Sequence, residues 1–126
     1  MKKIINTAKA PAPIGPYNQA VLIKDTLYIS GQIPIDPATG SLVEGDIKKE
    51  TKQSMENLKA ILEEAGMSFE HVIKSSIFIK DMNQFAEINE VYGTYFNADT
   101  APARETVEVA NLPKFVNVEI SMIAVK

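Results

Sequence analysis

Residues 100–125 read TAPARETVEVANLPKFVNVEISMIAV, and their composition is typical of two strands that close a small sheet. β-branched and apolar residues dominate the stretch, as they do in half-buried strands. Side chains alternate between the two faces of a strand. The second half therefore carries one continuous apolar row, made of Val116, Val118, Ile120, Met122 and Ala124. This row predicts a final strand with one face on the core.

Two charged residues, Arg104 and Glu119, stand among these apolar positions. Alternation places Glu119 opposite the apolar row, and it places Arg104 on the same face of its strand as Thr106. A four-residue turn at 111–114 (NLPK) would pair Thr106 directly with Glu119 and bring Arg104 within one diagonal step. A slip of one residue would mismatch the apolar faces. The sequence therefore predicts a hairpin on which the cation, the hydroxyl and the carboxylate share one face.

The preceding residues alternate between strand and helix patterns, with loops rich in proline and glycine between them. Lys24 and Asp25 are predicted to form a two-residue hairpin turn between two of these strands. The predicted strands cover 2–6, 20–23, 27–30 and 71–80, and the predicted helices cover 46–65 and 83–96. The order β-ββ-α-β-α-ββ predicts one α+β domain over residues 1–126, with two helices on one face of a mixed sheet.

The helix at 46–65 has apolar residues at helical spacing, Asp46 to cap its start and Gly66 after its end. The second helix turns Phe85, Ile88, Tyr92, Tyr95 and Phe96 inward. Asn89 falls on that same apolar stripe. A buried amide needs hydrogen-bond partners, so Asn89 is a polar residue that requires an explanation.

Two helices can cover only one face of so wide a sheet. The opposite face carries Val21, Ile23, Tyr28 and Phe115 among polar residues, which is too apolar to leave entirely in water. The sequence therefore predicts a homo-oligomer that buries this face. An Arg104–Glu119 pair there has two interpretations, an ion pair that only fixes assembly or a pair that performs chemistry.

Composition excludes several classes of site. The chain has no cysteine, so it has neither disulfides nor a catalytic thiolate. Its single histidine, His71, starts a predicted strand, which gives little support to a histidine triad or a histidine-ligated metal. Neither a dinucleotide-binding glycine pattern nor a phosphate-loop lysine occurs. We expect no cofactor and no metal.

Charge and hydropathy bear on partners. The formal net charge is −3 with a pI near 5.2, and no basic stripe of the kind that binds phosphate backbones is present. No apolar run reaches the about 20 residues of a membrane span, and the N-terminus lacks the apolar core of a secretory signal. We expect a cytoplasmic protein without nucleic-acid or membrane partners.

Several motifs in order carry a family resemblance: APAPIGPYNQAV, LYISGQIPIDPATG, NLKAILEEAG, FAEINEVYGTYF and APARETVEVANLPK followed by VEISMIAV. Over essentially its whole length the chain resembles the reactive-intermediate/imine deaminase family, also called the YjgF family, and its archetypal deaminase branch. The resemblance implies a chorismate-mutase-like fold assembled as a homotrimer, with a ligand site in each cleft between subunits. It also implies cofactor-free hydrolysis of 2-imino acids, such as 2-iminopropanoate and 2-iminobutanoate, to 2-oxo acids and ammonia.

The resemblance also implies residue roles. Arg104, in the P-A-R motif, would bind the substrate carboxylate, and Glu119 would handle the attacking water. Two positions depart from the family pattern, since Thr106 stands where many relatives have cysteine and Asn111 where they have arginine. The further binding residues that the resemblance implies are Tyr17, Ser30, Gly31, Asn89 and Thr106.

Two other functions stay open from the sequence. The first is a metabolite-binding or regulatory trimer that uses the same pocket without catalysis. The second is the ribonuclease or translation-inhibitor activity credited to some relatives. The acidic composition argues against the second.

Overall fold

Six strands and two α-helices follow one another in the predicted order. The computed structural model describes residues 1–126. The helices are α1 (Ile47–Glu64) and α2 (Phe85–Gly93). The strands are β1 (Lys2–Ile5), β2 (Ala20–Ile23), β3 (Thr26–Gln32), β4 (Val72–Ile79), β5 (Ala103–Glu108) and β6 (Val118–Val125). The α+β class and the two-helix arrangement are thereby confirmed.

One mixed sheet contains all six strands in the order β1-β2-β3-β6-β4-β5. Only β4 and β5 run parallel, and every other neighbouring pair is antiparallel. The predicted β5–β6 hairpin is wrong, because β6 inserts between β3 and β4 and has both of its edges occupied. The segment between β5 and β6 crosses over β4 instead, and β5 pairs with the remaining free edge of β4.

This topology reverses the predicted face of Arg104. Arg104 pairs with Ser75 of β4, which in turn pairs with Met122 of β6, and Met122 is buried in the core under the helices. Glu119 pairs with Phe78 of β4, three positions along from Ser75. An odd separation along a strand changes the face. Arg104 therefore faces the helices and Glu119 faces the opposite side, so the predicted convergence on one face of one chain is wrong.

Helix α1 supplies the centre of the core, as its periodicity predicts. Asp46 caps it by accepting hydrogen bonds from the backbone N–H groups of Lys48 and Lys49, at 2.9 and 3.3 Å. Gly66 follows the helix with φ 74°, a left-handed conformation that favours glycine. The helix residues that pack fully onto the sheet are Met55, Leu58, Ile61 and Leu62.

Two details differ from the sequence pattern. A register shift between Val72 and Lys74 at the start of β4 turns Val72 into the core, where it is 4% exposed, and leaves Ile73 53% exposed. Alternation along residues 71–80 predicts that Ile73 faces the same side as Ile77 and Ile79, and this is wrong because a bulge breaks the alternation. Helix α2 ends at Gly93, yet Tyr95 and Phe96 beyond it still pack against the core.

The sheet face away from the helices is uncovered and carries large apolar side chains. Four exposed apolar side chains lie there: Ile4, Ile23, Tyr28 and Val107, and Tyr28 is 51% exposed. Phe115, in the turn between β5 and β6, is 77% exposed. This confirms the apolar character predicted for that face. Neither α1 nor α2 combines the length and the apolarity that crossing a bilayer requires.

Candidate functional site

Glu119 opens onto a cavity of about 540 Å³ on the uncovered side of the sheet. Strands β3 and β6 supply its floor, and the proline-rich segment before β2 supplies one wall. Four of the residues singled out from the sequence meet here, Tyr17, Ser30, Gly31 and Glu119. The residues that line the cavity are Ile14, Tyr17, Ser30, Gly31, Ile33, Pro113, Lys114 and Glu119.

The Glu119 carboxyl is half-buried and has neither a hydrogen bond nor an ion pair within the chain. Burial raises the pKa of Glu119 above its usual value, and no neighbouring charge offsets this. A carboxyl with a raised pKa exchanges a proton more readily near neutral pH than an exposed one does. The site therefore holds one free acid–base group.

A buried glutamine anchors the loop that leads into this wall. The Gln19 side chain accepts a hydrogen bond from the N–H of Thr7 at 2.7 Å and donates to the carbonyl oxygens of Thr7, Ala10 and Pro11. These bonds hold residues 7–11 against the sheet without regular structure.

Two predicted binding residues have hydroxyl groups tied to the same wall. The Ser30 hydroxyl donates to the carbonyl of Asn18 at 2.6 Å, and the Tyr17 hydroxyl accepts from the N–H of Ile14 at 3.3 Å. The proton of Ser30 is therefore committed to the fold, so this hydroxyl can meet a ligand only as an acceptor. The proton of the Tyr17 hydroxyl, in contrast, is free to be donated to a ligand.

Arg104, the only arginine of the chain, lies on the other side of the sheet beneath α2. Its guanidinium donates to Asn89 Oδ1 at 2.7 Å and stacks over the rings of Phe85 and Tyr92, with centroid distances of 5.6 and 5.1 Å. It pairs with no carboxylate; the two ion pairs of the chain are Lys48–Glu90 and Lys74–Glu105. Arg104 is thus oriented but not neutralised, and it keeps most of its N–H donors for a ligand.

The surroundings of Arg104 explain two further predicted residues. Asn89 is exposed and not buried as its place on the helix stripe predicted, but it has the partner that the prediction required. Thr106 lies two residues beyond Arg104 on the same face, and its hydroxyl is buried with no hydrogen-bond partner. An orphan hydroxyl beside a free cation is available to a ligand.

Sequence reasoning did not assign a role to the aromatic platform under Arg104. Phe85, Asn89 and Tyr92 recur at helical spacing, which predicts a stripe facing the core, and the family resemblance implies a binding role for Asn89 alone. The Tyr92 hydroxyl donates to Ser75 Oγ at 2.9 Å, which fixes the ring, and burial raises the pKa of Tyr92. The sequence signal that could have identified this platform is the chain's single arginine together with a helix stripe that combines aromatic rings and one amide.

The single histidine of the chain has a structural role. His71 Nδ1 accepts a hydrogen bond from the N–H of Ser68 at 3.0 Å and so caps the short turn before β4. No three or more histidine, aspartate or glutamate side chains gather in a way that could hold a metal ion.

Sequence comparison identifies the family. The family described as endoribonuclease L-PSP matches residues 7–126. The chain belongs to this family. The deaminase family named from the motifs is the same group of proteins, so the predicted membership is confirmed.

Relatives within the endoribonuclease L-PSP family are similar over the entire chain. A RutC family protein of Pyrococcus horikoshii is 56% identical over 126 residues, which is 100% of this chain and 99% of the relative. The 2-iminobutanoate/2-iminopropanoate deaminase of Mus musculus is 48% identical over 126 residues, covering 100% and 93%. The crystal structure of E. coli TdcF with bound serine superposes with a TM-score of 0.92 at 47% identity, covering 98% of each chain.

Proposed function

We propose that the protein hydrolyses reactive 2-imino acids to 2-oxo acids and ammonia without a cofactor. The observation that carries this proposal is a pair of uncompensated charges: Arg104 is oriented without a carboxylate partner, and Glu119 is desolvated without a cation. A desolvated carboxyl is costly unless a ligand or partner completes it, and an exposed guanidinium held by Asn89 is ready to receive an anion. The names of the mammalian relatives support the same reaction.

The two charges cannot act together within one chain, because they lie on opposite faces of the sheet with β4 between their strands. We therefore propose a homotrimer in which the Arg104 side of one subunit meets the Glu119 cavity of the next. The uncovered apolar face supports assembly, since leaving Tyr28, Val107 and Phe115 in water is unfavourable. The trimer is the assembly that the family resemblance implies.

The chemistry follows from the two groups. Arg104 holds the substrate carboxylate through parallel N–H donors, which leaves the protonated imine carbon facing Glu119 across the cleft. Glu119 accepts a proton from a water molecule while the oxygen of that water attacks the imine carbon. This step forms a tetrahedral amino alcohol. Protonated Glu119 then donates its proton to the amine nitrogen, and the C–N bond breaks with release of ammonia. The hydroxyl proton passes to solvent, which leaves the carbonyl of the 2-oxo acid. The carboxyl returns to its starting state, so the cycle balances.

The protein needs to lower the barrier to imine hydrolysis only modestly. Imines hydrolyse without help, so positioning together with one acid–base group is sufficient for useful acceleration. We assign substrate contacts to the hydroxyl groups of Tyr17, Ser30 and Thr106, to Gly31 and to Asn89. Of these, the orphan hydroxyl of Thr106 is the group most in need of a ligand partner.

The direct test is ammonia release from 2-aminoacrylate, which tautomerises to 2-iminopropanoate. An amino-acid lyase generates the compound in situ, and ammonia is followed with and without this protein. We expect a clear increase over the spontaneous rate with the parent protein. Glu119→Gln should lose about 10²- to 10⁴-fold of the catalysed rate. A parent protein that leaves the spontaneous rate unchanged would overturn the proposal.

A second candidate is a trimer that binds carboxylates without catalysis. It is favoured by the preorganised Arg104, and the E. coli TdcF structure holds serine, an amino acid with a free carboxylate. Calorimetric titration with a 2-oxo acid separates the two candidates. Binding that depends on Arg104, together with no acceleration of imine loss, is the result expected for the binder alone.

A further inference from the structure

Strand β3 approaches Glu119 through a bulge. The register between β3 and β6 shifts between Ile29 and Gln32, so Ser30 and Gly31 form an irregular step opposite β6. Bulges of this kind redirect side chains and recur beside functional sites. Here the step brings the backbone of Gly31 directly against the Glu119 side chain.

Position 31 requires glycine because a side chain there would collide with Glu119, and not because the backbone conformation demands it. The chain's left-handed glycines are Gly15, Gly40, Gly45 and Gly66, and Gly31 is not among them. An added Cβ at Gly31 would lie 2.7 Å from Cδ and 2.9 Å from Cγ of Glu119, closer than real Cβ contacts. The obstruction is the end of a flexible side chain, so an alanine here would move the carboxyl and leave the sheet in place.

We propose that Gly31 is a positioning residue for Glu119: its missing side chain keeps open the space in which the carboxyl lies at the cavity floor. This deepens the proposed function and rests on it, since position matters only if the carboxyl acts on a ligand. With alanine at 31, the carboxyl must rotate away from the bulge and toward the open cavity. It then loses its burial and its alignment with the reacting carbon.

Burial of the carboxyl supports the same inference. The pKa of Glu119 is raised by desolvation alone, and one side of the carboxyl lies against the backbone of Gly31. The other titratable side chains on the cavity wall are Tyr17 and Lys114. Moving the carboxyl into the cavity brings it closer to water and to the Lys114 cation, and both changes lower the pKa of Glu119.

The kinetic test uses a double-mutant cycle. Gly31→Ala should lower kcat by about tenfold or more with KM changed less than about threefold, because binding by Arg104 is untouched and alanine retains the backbone through which Gly31 meets the substrate. Glu119→Gln removes the acid–base group and lowers kcat in the parent. In the Gly31→Ala background the carboxyl is already displaced, so the same change should cost at least about threefold less. Gly93→Ala is the matched control, since an added Cβ there meets nothing within 4 Å.

A second measurement does not depend on activity. The ¹³C resonance of the Glu119 carboxyl, assigned as the signal lost in Glu119→Gln, is titrated in the parent and in Gly31→Ala. We expect the midpoint to move down toward that of an exposed glutamate in Gly31→Ala and to stay in place in Gly93→Ala. An identical titration in the parent and Gly31→Ala overturns the inference, whatever the rates.

The outcomes separate the two proposals. If the parent does not hydrolyse imines, the proposed function fails, and the carboxyl titration still decides the role of Gly31. If Gly31→Ala does not fold, Gly31→Ala combined with Glu119→Ala, which removes every atom that the added Cβ would meet, decides instead. A folded double variant shows that the clash is with the carboxyl arm, and an unfolded one overturns the inference.

Discussion

Arg104 and Glu119 lie on opposite faces of one sheet, and β4 separates the strands that carry them. The Arg104 guanidinium is stacked on a ring and hydrogen-bonded on one face of the sheet, and the Glu119 carboxyl is desolvated on the other. A reaction that needs both must therefore draw them from different subunits. Under the proposed function, assembly is therefore a condition of activity and not only of stability.

The first prediction is complementation between two impaired variants. At substrate concentrations well below KM, Arg104→Lys and Glu119→Gln should each have little activity alone. Mixed trimers contain some clefts with an intact Arg104 from one variant and an intact Glu119 from the other. Random mixing of equal amounts restores about a quarter of the clefts. Ammonia release should recover to about a quarter of the parent rate after joint refolding. No recovery in trimers proven to be mixed would mean that both residues act within one subunit.

The second prediction concerns the geometry of the cation. Arg104→Lys keeps the charge but loses the planar fork, the hydrogen bond to Asn89 and the stack on Phe85 and Tyr92. We expect kcat/KM to fall by at least about tenfold, mostly through KM, with the thermal midpoint nearly unchanged because the side chain is exposed. Steady-state kinetics and a thermal melt check this. A lysine variant as active as the parent would show that charge alone is sufficient.

The third prediction is a pH-dependent gain in stability from Glu119→Gln. Because the folded-state pKa of Glu119 is raised above its usual value of about 4.5, ionisation costs folding free energy. The stabilising contribution of the carboxyl is complete below pH 4.5 and is lost as the pH rises through the folded-state pKa. Glutamine, neutral throughout, should therefore raise the free energy of unfolding at pH 7, by less than about 1 kcal/mol because half the side chain is exposed to screening.

Urea unfolding at pH 4 and pH 7, at one protein concentration, measures this difference. The gain should shrink toward zero at pH 4. A parent more stable than the variant at pH 7 would show that the Glu119 charge has a stabilising partner in the assembled protein.

The fourth prediction concerns a buried amide that supports the cavity from below. The Asn57 side chain on α1 donates to the carbonyl oxygens of Ile33 and Ile35, at 3.2 and 2.9 Å. Asn57→Leu leaves both carbonyls without that partner, so we expect a loss of about 2 to 4 kcal/mol in the free energy of unfolding. Gln53→Ala, which removes only the partly buried bond to Asn57 at 2.9 Å, is the control and should cost about 1 kcal/mol or less.

Most elements of the fold could be predicted because their signals are local. Helix α1 carries its own periodicity, with a capping aspartate before it and a glycine after it, and the structure places its ends within a residue of the prediction. The apolar row from Val116 to Ala124 is buried as predicted, since alternation along a strand depends only on that strand. The order of elements and the family followed from the same local patterns and motifs.

Only the tertiary structure decided which strands pair, and this choice determined the site. Strand pairing depends on residues far apart in the chain. The residues around the NLPK turn suggest that β5 pairs with β6, but they do not reveal that β6 is already enclosed by β3 and β4. The sequence by itself selected Arg104 and Glu119 as the unusual charges. It could not place them on opposite faces, and it could not show that Gly31 leaves room for the Glu119 carboxyl, because both depend on contacts between segments far apart in the chain.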